Sequence, residues 1–410
     1  MTSRVARCAL SSASRSDRSA APATGSGSSI PLCVPELRGN EWAYLKECLD
    51  SGWVSSAGPW VDRFEARFAE LVGMPHAVAT SSGTAALHLA LLVAGVQPDD
   101  EVLISDLTFI APANAVRYAG AWPVFIDVSP DCWQMDPARV AEFLEERCSW
   151  DGKELRNRST GRRVTAVLPV HILGHPADID RIVDLARRYD LGVVEDATES
   201  LGARYQGKPV GTAGDVGCFS FNGNKLITTG GGGMLVTNDE AKARRARHLA
   251  TQAKDDPVEY VHREIGFNYR LTSVQASLGL AQLDHIDDFL AAKRRIAARY
   301  AEELAEVPGI TSMSEAPWAS SAWWMYTVLV EPEQYGQSSR ELLKRLAADG
   351  IETRPLWQPL HLSPAHRDGV STAGPVSERL WRQSLSLPSS VGLTAPDQAR
   401  VIAAVMSTDR

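Results

Sequence analysis

Lys225 is the residue of this chain whose setting best suits chemistry on a carbonyl group. It follows a strand-like segment, GDVGCFSF, and precedes a run of glycines, Gly230 to Gly233. A strand of alternating small and apolar residues that ends near Ser220 would place the lysine amine where the chain leaves a sheet. A partly desolvated amine in that position can form a Schiff base. Lys225 is therefore a candidate nucleophile, and a solvated surface charge is the ordinary alternative.

A hydroxyl-rich turn lies upstream, between an apolar strand and an apolar helix. From His76 the chain reads HAVATSSGTAALHLALLVAG, which places Ser82, Gly83 and Thr84 at the predicted start of the helix. Free backbone N–H groups and the helix dipole favour an anion at such a terminus. The turn is a candidate phosphate site, and a plain helix cap by Ser82 or Thr84 is the alternative.

A third segment carries carboxylates at the end of a buried-type strand. The sequence LGVVED, from Leu191, ends in Glu195 and Asp196, and Thr198 and Glu199 follow it. In open α/β sheets, ligands bind outside the carboxyl ends of the strands. A carboxylate there can keep the nitrogen of a bound aromatic ring protonated, so that the ring accepts electrons. A helix cap would explain Asp196 taken alone, but the three segments together favour one cofactor site.

The elements that must position these residues alternate between strands and helices. The strand patterns PVFIDV, VTAVLPVH and LGVVED are separated by helical patterns such as ADIDRIVDLARRYD, and an earlier helix with an apolar face is predicted over 60–72. This alternation predicts a mainly parallel sheet with helices on both faces. The polar segment from Ser149 to Arg163 is expected to be an exposed loop.

The chain is expected to divide into three parts. Residues 1–29 hold nine serines, four arginines and a single acidic residue, without apolar periodicity, which predicts a disordered extension. Residues 30–270 are expected to form a large cofactor-binding domain. Residues 271–410 are expected to form a smaller C-terminal domain, because the pattern becomes helical and then mixed. A chain of 410 residues that is 44% hydrophobic has enough apolar surface for both cores.

Composition excludes some classes of partner. The net charge of −8 and the pI near 5.7 argue against a nucleic-acid-binding protein, whose surface would be basic. The six cysteines show no CxxC spacing, which predicts free thiols in a reducing cytoplasm. No apolar run approaches the roughly 20 residues that a membrane helix requires. Neither nucleic acid nor a membrane is therefore an expected partner.

Four segments carry a resemblance to a known family: TSSGTAALHLAL, VEDATESLGA, FSFNGNKLITTGGGGMLVTND and GFNYRLTSVQASLGLAQL. From about Ile30 to the C-terminus, the chain resembles the DegT/StrS family of pyridoxal-phosphate (PLP) sugar aminotransferases. The resemblance implies fold type I, with a mainly parallel seven-stranded sheet and a smaller C-terminal α/β domain. The segments GNEWAYLKECLDSGWVSSAGPWVDRFE, TQAKDD with IGFNYRL, and IETRPLWQPLH are similar to enzymes that aminate a UDP-linked 4-keto-6-deoxy-N-acetylhexosamine, the bacillosamine and legionaminic acid branch.

The resemblance implies roles for individual residues. Lys225 resembles the lysine that binds the cofactor aldehyde, and Asp196 resembles the residue paired with the pyridine nitrogen. Glu199 lies at the position facing the phenolic oxygen, where many relatives have Gln or His, so it must be protonated or balanced by a cation. The other implied cofactor contacts are Ser82, Gly83, Thr84 and Ser220 at the phosphate, Phe109 stacked on the ring, and Asn268 reaching the phosphate of the other subunit in a homodimer. Core packing is the alternative for Phe109.

Three further residues are candidates for contact with the substrates: His171, Arg354 and Trp357. Arg354, in IETRPLW, could hold the donor carboxylate through two parallel hydrogen bonds, and a surface ion pair is its alternative. An aromatic-rich stretch that includes Trp324 could stack on a base or a sugar, or pack in the core. No metal site is expected at His171 and His175, because PVHILGHP cannot form a regular helix.

These inferences predict one reaction. Lys225 would move a proton while an amino group passes from L-glutamate to the C4 keto group of a nucleotide-linked 4-keto-6-deoxy-N-acetylhexosamine, which gives 2-oxoglutarate and a 4-amino sugar nucleotide. The resemblance implies that the nucleotide is UDP. A sugar dehydratase on the same fold is one alternative, but that branch carries His where this chain has Lys225. A non-catalytic binding or regulatory homologue is another, and the retained Lys225, Asp196 and phosphate turn argue against it.

Overall fold

A computed structural model of the chain describes residues 29–256, 258–372 and 374–407. Its centre is a mainly parallel sheet between two apolar cores, which confirms the predicted α/β architecture. Successive residues of one central strand alternate between the two cores: Leu103 lies in one, and Val102 and Ile104 lie in the other. This alternation shows that helices cover both faces of the sheet. The predicted disordered extension falls, apart from Ser29, outside the described residues.

The described residues form helices and strands in the following order along the chain. The helices are α1 Glu41–Asp50, α2 Pro59–Val72, α3 Gly83–Val93, α4 Ala111–Tyr118, α5 Pro137–Glu142, α6 Ile179–Arg188, α7 Glu240–Ala250, α8 Ser273–Leu283, α9 Ile286–Leu304, α10 Pro332–Tyr335, α11 Ser339–Ala348, α12 Pro375–Gln383 and α13 Ala395–Met406. The strands are β1 His76–Thr80, β2 Glu101–Ser105, β3 Trp122–Ile126, β4 Cys148–Trp150, β5 Leu155–Asn157, β6 Arg163–Leu168, β7 Gly192–Asp196, β8 Arg204–Tyr205, β9 Lys208–Pro209, β10 Val216–Ser220, β11 Gly233–Thr237, β12 Ile310–Ser312, β13 Ala319–Ser320, β14 Tyr326–Val330, β15 Val370–Ser371 and β16 Ser384–Leu387.

The strand order of the large sheet brings the predicted site segments to one edge. The order is β1-β11-β10-β7-β6-β2-β3, with β15 added beside β3. Neighbours from β10 to β3 are parallel, whereas β11 runs antiparallel to both β1 and β10. The carboxyl ends of β1, β7 and β10 therefore open on the same edge, where ligands of open α/β sheets bind.

The helices form where apolar residues recur with helical spacing. In α2, Val61, Phe64 and Phe68 are fully buried on one face, as the pattern over 60–72 predicts. The helix begins with Pro59 in its first turn and ends at Gly73, whose φ of 71° is the left-handed conformation that glycine adopts readily. The helix packs on β1 and α8 and so supports the strand that leads into the hydroxyl-rich turn.

The segment from Ser149 to Arg163 is more ordered than the expected loop. Strands β4 and β5 pair antiparallel as a hairpin, and β5 continues onto the edge of β6. Two inward-facing residues, Leu155 and Asn157, are buried, and the Asn157 amide donates to the carboxylate of Glu101 at 2.8 Å. Half-exposed strands carry many polar residues, so the polar composition of this segment did not indicate a hairpin.

Helix α8 packs on elements that precede it in the chain. It contacts α1 and α2, and its Ala276, Leu280 and Leu283 belong to one of the two cores beside the large sheet. A separate core contains Ile30 and residues from Ile296 onward, and it includes residues of the three-stranded sheet β12-β14-β16. The domain boundary at 270/271 stays a prediction.

Within the described residues, no helix combines the length and the apolar character needed to cross a lipid bilayer. The described cysteines are free thiols, of which three are buried and Cys33 and Cys132 are partly exposed.

Candidate active site

A cavity of about 340 Å³ opens where β1, β7 and β10 end. Asp196 is the last residue of β7, and its partner in the parallel register is Cys218 of β10, so the two strand ends lie side by side. Lys225 follows the end of β10 after a short turn, in which its backbone N–H donates to the carbonyl of Asn222 at 2.9 Å. The cavity lining contains the predicted residues Ser82, Gly83, Thr84, Phe109, Asp196, Glu199, Ser220, Lys225, Arg354 and Trp357.

The Lys225 amine is held between a carboxylate and an aromatic face. Its Nζ lies 3.3 Å from Oε1 of Glu199 and 3.8 Å from the centre of the Trp324 ring, and the side chain is only 13% exposed. The Trp324 indole N–H donates to the carbonyl oxygen of Asn224 at 2.6 Å and so fixes the residue that precedes the lysine. The surroundings exclude much of the water that would solvate a surface lysine.

Asp196 presents a carboxylate that is almost completely buried at the floor of the cavity. Burial raises its pKa, and hydrogen bonds from Thr198 and the positive charge of Lys225 oppose that rise. Its Oδ1 accepts the backbone N–H of Thr198 at 3.0 Å. A buried carboxylate of this kind gains strongly from a cationic N–H placed beside it.

Glu199 is the second buried acid of the cavity, and Lys225 is its cation. Burial raises the pKa of Glu199, the nearby Lys225 charge lowers it, and Asp196 raises it further. One carboxylate oxygen contacts Lys225, while the other accepts the backbone N–H of Leu173 at 2.9 Å. The cation that a glutamate at this position requires is therefore present in the same chain.

The hydroxyl-rich turn forms an anion cup at the start of α3. Ser82 caps the helix, since its Oγ accepts the N–H of Ala85 at 3.1 Å. A Cβ added at Gly83 would lie 2.8 Å from the Cβ of Ser220 and 3.2 Å from the methyl of Thr198, so only glycine fits without displacement. Capping and anion binding are thus compatible here, because the free N–H groups of the first turn still face the cavity.

The outer wall of the cavity is aromatic. Phe109 is 52% exposed, which excludes the core alternative, and its ring centre lies 6.5 Å from that of Trp357. Trp357 in turn lies nearly parallel to Trp324, with 6.4 Å between ring centres. A planar ring could enter between Phe109 and the buried carboxylate, where Phe109 offers an exposed face for stacking.

Several lining residues could not be singled out from the sequence. Asn222, Asn224, Thr108 and Thr198 line the cavity beside predicted residues, and Trp324 was one of several aromatic candidates. Their only signal in the sequence was proximity to the predicted residues. Asn222 and Asn224 are brought to the cavity by the turn that follows β10, and that turn is visible only in the folded chain.

His171 does not reach this cavity. Its side chain is fully buried behind Asp196, its Nδ1 accepts the N–H of Ala177 at 2.8 Å, and its Nε2 lies 2.9 Å from Glu195. An imidazole with both nitrogens engaged inside the protein has no face left for a substrate. The expected substrate contact at His171 is therefore not supported by the structure, since the strand end turns its side chain inward.

Asn268 lies outside the cavity of its own chain. It is exposed, on a segment whose backbone pairs with Thr251, while the adjacent Tyr269 carbonyl accepts the N–H of Ser81. The segment thus borders the anion cup without lining it. An exposed amide at this place is available to a second subunit.

The chain matches known proteins over nearly its whole length. A model of the DegT/DnrJ/EryC1/StrS aminotransferase family matches residues 35–406. EpsN of Bacillus subtilis, named as a pyridoxal phosphate-dependent aminotransferase, is 42% identical over 91% of this chain and 94% of its own length. The GDP-perosamine synthase of Caulobacter vibrioides is 40% identical, over 92% of this chain and 97% of its own. The crystal structure of DesV from S. venezuelae, in complex with a ketimine intermediate, matches with a TM-score of 0.83 and 36% identity, and covers 94% of this chain and all of that one.

Proposed function

The chain belongs to the DegT/DnrJ/EryC1/StrS aminotransferase family, and within that family we propose that it transfers the amino group of L-glutamate to C4 of a nucleotide-linked 4-keto-6-deoxy-N-acetylhexosamine. It is a PLP-dependent aminotransferase that acts on nucleotide sugars. We propose in addition that the nucleotide is UDP and that the sugar is N-acetylated. The observation that carries the reaction is the Lys225 amine, placed at the carboxyl edge of the sheet beside two buried carboxylates.

The residues of the cavity fit PLP. The anion cup at the start of α3, where Gly83 leaves no space for a side chain, would hold the phosphate. The carboxylate of Asp196 would face the ring nitrogen, Phe109 would cover the ring, and Lys225 would bind the aldehyde carbon. The number and type of these groups match the three functional parts of the cofactor: an anion, a basic ring nitrogen and a carbonyl.

When bound, PLP supplies a conjugated ring that accepts the electron pair left behind as a proton leaves the α-carbon of the donor. Asp196 favours the protonated ring nitrogen and so increases the electron demand. Lys225 Nζ, once free of the aldehyde carbon, would take that proton and return it on the other side of the amino nitrogen. Trp324 and Glu199 hold Nζ in place for this transfer.

The same residues act in reverse order on the second substrate. Water would release the donor as 2-oxoglutarate once its amino group has been taken up in the site. With the sugar in its place, the C4 keto oxygen would leave as water and Lys225 Nζ would give a proton to C4, so that the amino group is left on the sugar. Arg354 lines the cavity and is our candidate for the donor carboxylate. Trp357, beside it, is our candidate for contact with the sugar or its nucleotide.

The choice of UDP and of an N-acetylated sugar rests on short segments of sequence. The segments TQAKDD and IETRPLWQPLH support it, whereas three relatives are named for a GDP sugar and one for a dTDP sugar. We also propose a homodimer in which Asn268 of each subunit reaches the cofactor phosphate of the other. Its exposed position beside the anion cup supports this arrangement.

A panel of acceptors tests the substrate. The PLP-loaded protein would be incubated with L-glutamate labelled with ¹⁵N at the amino group and with the 4-keto-6-deoxy forms of UDP-N-acetylglucosamine, GDP-mannose or dTDP-glucose. We expect ¹⁵N incorporation into the UDP sugar at a kcat/KM at least about tenfold above the other two. Faster amination of the GDP or dTDP sugar would refute the UDP assignment, and no incorporation into any of them would refute amination at C4.

A further inference from the structure

A buried lysine, Lys293 in α9, lies directly behind the Lys225 turn. Its side chain is 1% exposed, and its Nζ donates to the backbone carbonyls of Trp324, at 2.8 Å, and Ser389. The third atom at hydrogen-bonding distance is Sγ of Cys33, at 3.8 Å. Lys293 therefore joins the segment before α1 to two segments of the C-terminal part of the chain.

Cys33 connects this lysine to the active site. Its thiol donates to the carbonyl oxygen of Asn224 at 3.2 Å, the same oxygen that accepts the Trp324 indole N–H. Asn224 immediately precedes Lys225. Cys33 as a residue is partly exposed, whereas the lysine behind it is buried.

The surroundings of Lys293 disfavour its positive charge. No carboxylate of the described residues forms an ion pair with it, and Nζ donates to two carbonyl oxygens and to the Cys33 sulfur. Burial lowers its pKa, and the neighbouring Cys33 opposes that change. Loss of one proton from Nζ would leave a lone pair next to the Cys33 sulfur.

We propose that Cys33 and Lys293 are a site of oxidative modification, at which a peroxide couples the thiol sulfur to the lysine nitrogen. The peroxide first converts the thiol to a sulfenic acid and is itself reduced to water. Lys293 Nζ, after giving up one proton, then attacks sulfur with its lone pair. The S–N bond forms, the S–O bond breaks, and the hydroxyl leaves with a proton from nitrogen as a second water. The product is a sulfenamide, and a thiol reductant returns both side chains while it is oxidised to a disulfide.

The coupling alters the support of Lys225. The S–H donor to Asn224 is lost, and the nitrogen is drawn towards sulfur, away from the carbonyl of Trp324. The first change affects Asn224, which precedes Lys225 in its turn. The second affects Trp324, which bonds to Asn224 and covers the Lys225 amine. Oxidation at this pair is therefore expected to slow proton transfer by Lys225 and to be reversible.

Other described cysteines are poorer candidates. Burial raises the pKa of Cys132 and of Cys48, and it raises the pKa of Cys148 to about 12. These three thiols and the fully buried Cys218 make no hydrogen bond to a lysine amine in the described part of the chain. Because the thiolate is the form that peroxide oxidises, these thiols react slowly.

Mass spectrometry of peroxide-treated protein tests the proposal. The PLP-loaded protein would be treated with hydrogen peroxide, digested and mapped. We expect one peptide pair, joining Cys33 to Lys293, whose mass is the sum of the two peptides less two hydrogens, and which dithiothreitol separates. Cys33 found as a sulfinic or sulfonic acid with Lys293 unmodified, a cross-link that retains the oxygen, or Cys33 left unoxidised would each overturn the coupling.

Two variants with intact Lys293 serve as matched controls. Cys33→Ser keeps a hydroxyl donor for Asn224 and is expected to fold, to show no cross-link and to resist inactivation. Cys132→Ser, at the other partly exposed thiol, is expected to cross-link like the unmodified sequence. In cross-linked protein, bleaching of the cofactor band by glutamate should slow at least about threefold and recover with dithiothreitol. An unchanged rate of bleaching would overturn the link to Lys225. The mass-spectrometric result does not depend on which sugar the enzyme accepts.

Discussion

At the scale of single residues, the chemistry depends on how two buried acids share one cation. Lys225 lies 3.3 Å from Glu199, and its charge also lowers the pKa of Asp196. Burial alone would favour the neutral form of both acids. With the cofactor bound, a protonated ring nitrogen beside Asp196 would supply a second positive charge. Asp196 would then have its own partner, and Glu199 alone would remain paired with Lys225.

Asp196→Asn tests the electrostatic role of this carboxylate. The amide oxygen can still accept the N–H of Thr198, so the strand end should keep its conformation. Without the negative charge the ring nitrogen loses its partner, and we expect the rate of the glutamate half-reaction to fall by about 100- to 1000-fold. Stopped-flow absorbance measures that rate. A variant that binds PLP and reacts at an unchanged rate would show that Asp196 does not face the nitrogen.

At the scale of elements, the turn from β1 into α3 decides whether the phosphate fits. Gly83→Ala places a methyl group 2.8 Å from the Cβ of Ser220, which pushes β10 and the cup apart. We expect the affinity for PLP to fall about tenfold or more, with the melting temperature of the apoprotein changed much less. Fluorescence titration with PLP measures the affinity.

The matched control for this substitution is Gly223→Ala. Gly223 has no atom within 4 Å of an added Cβ and does not have a left-handed φ. It should bind PLP with unchanged affinity. Equal affinities of the two variants would mean that the cup is wide enough for a side chain and is not the phosphate site.

His361 joins the segment that carries Arg354 and Trp357 to the end of β2, and it makes stability depend on pH. Its Nδ1 lies 2.7 Å from the buried Asp106 and its Nε2 3.5 Å from Glu378. The hydrogen bond to Asp106 raises its pKa above the usual 6.5, burial opposes that rise, and Glu378 adds to it. The folded state holds the His361 proton more tightly than the unfolded chain does. Protonated His361 therefore stabilises the fold fully below the pKa that His361 has in the unfolded chain. This stabilisation is lost as pH rises through the pKa of His361 in the folded state.

His361→Gln is therefore expected to destabilise the protein more at about pH 6 than at about pH 9, by roughly 1 kcal/mol once partial exposure is allowed for. Urea unfolding at the two pH values measures the difference. His285→Gln, at a more exposed pair with Asp288, is the matched control. An equal loss of stability for His361→Gln at both pH values would show that the imidazole is not protonated in the folded state.

Local patterns in the sequence were sufficient for the strands and turns that carry the cofactor residues. Strand β1 begins and ends where HAVAT does, and β7 ends at Asp196, because short apolar strands bounded by polar turns have few alternative structures. The packing of α8 on α1 and α2 and the orientation of His171 could not be predicted. Both depend on which residues pack against them, and those residues are distant in the sequence.

At the scale of the whole molecule, the proposed homodimer would complete each cavity with Asn268 of the other subunit. Subunits of Lys225→Ala and Asn268→Ala, each with little activity alone, would be unfolded together and refolded as mixed dimers. A mixed dimer has one cavity with both native residues, so random pairing should restore roughly a quarter of the native activity. No recovery, with mixed dimers verified by native mass spectrometry, would place Asn268 in its own subunit or outside the site.

The role of Lys225 is tested most directly by the absorbance spectrum of the PLP-loaded protein before and after L-glutamate is added, beside that of Lys225→Ala. We expect a visible band from the lysine-bound cofactor that bleaches with glutamate and returns when a 4-keto nucleotide sugar is supplied. In Lys225→Ala the lysine-bound band should be absent. If the protein shows no visible band with excess PLP, or if Lys225→Ala shows the same band and the same response to glutamate, Lys225 does not carry the reaction.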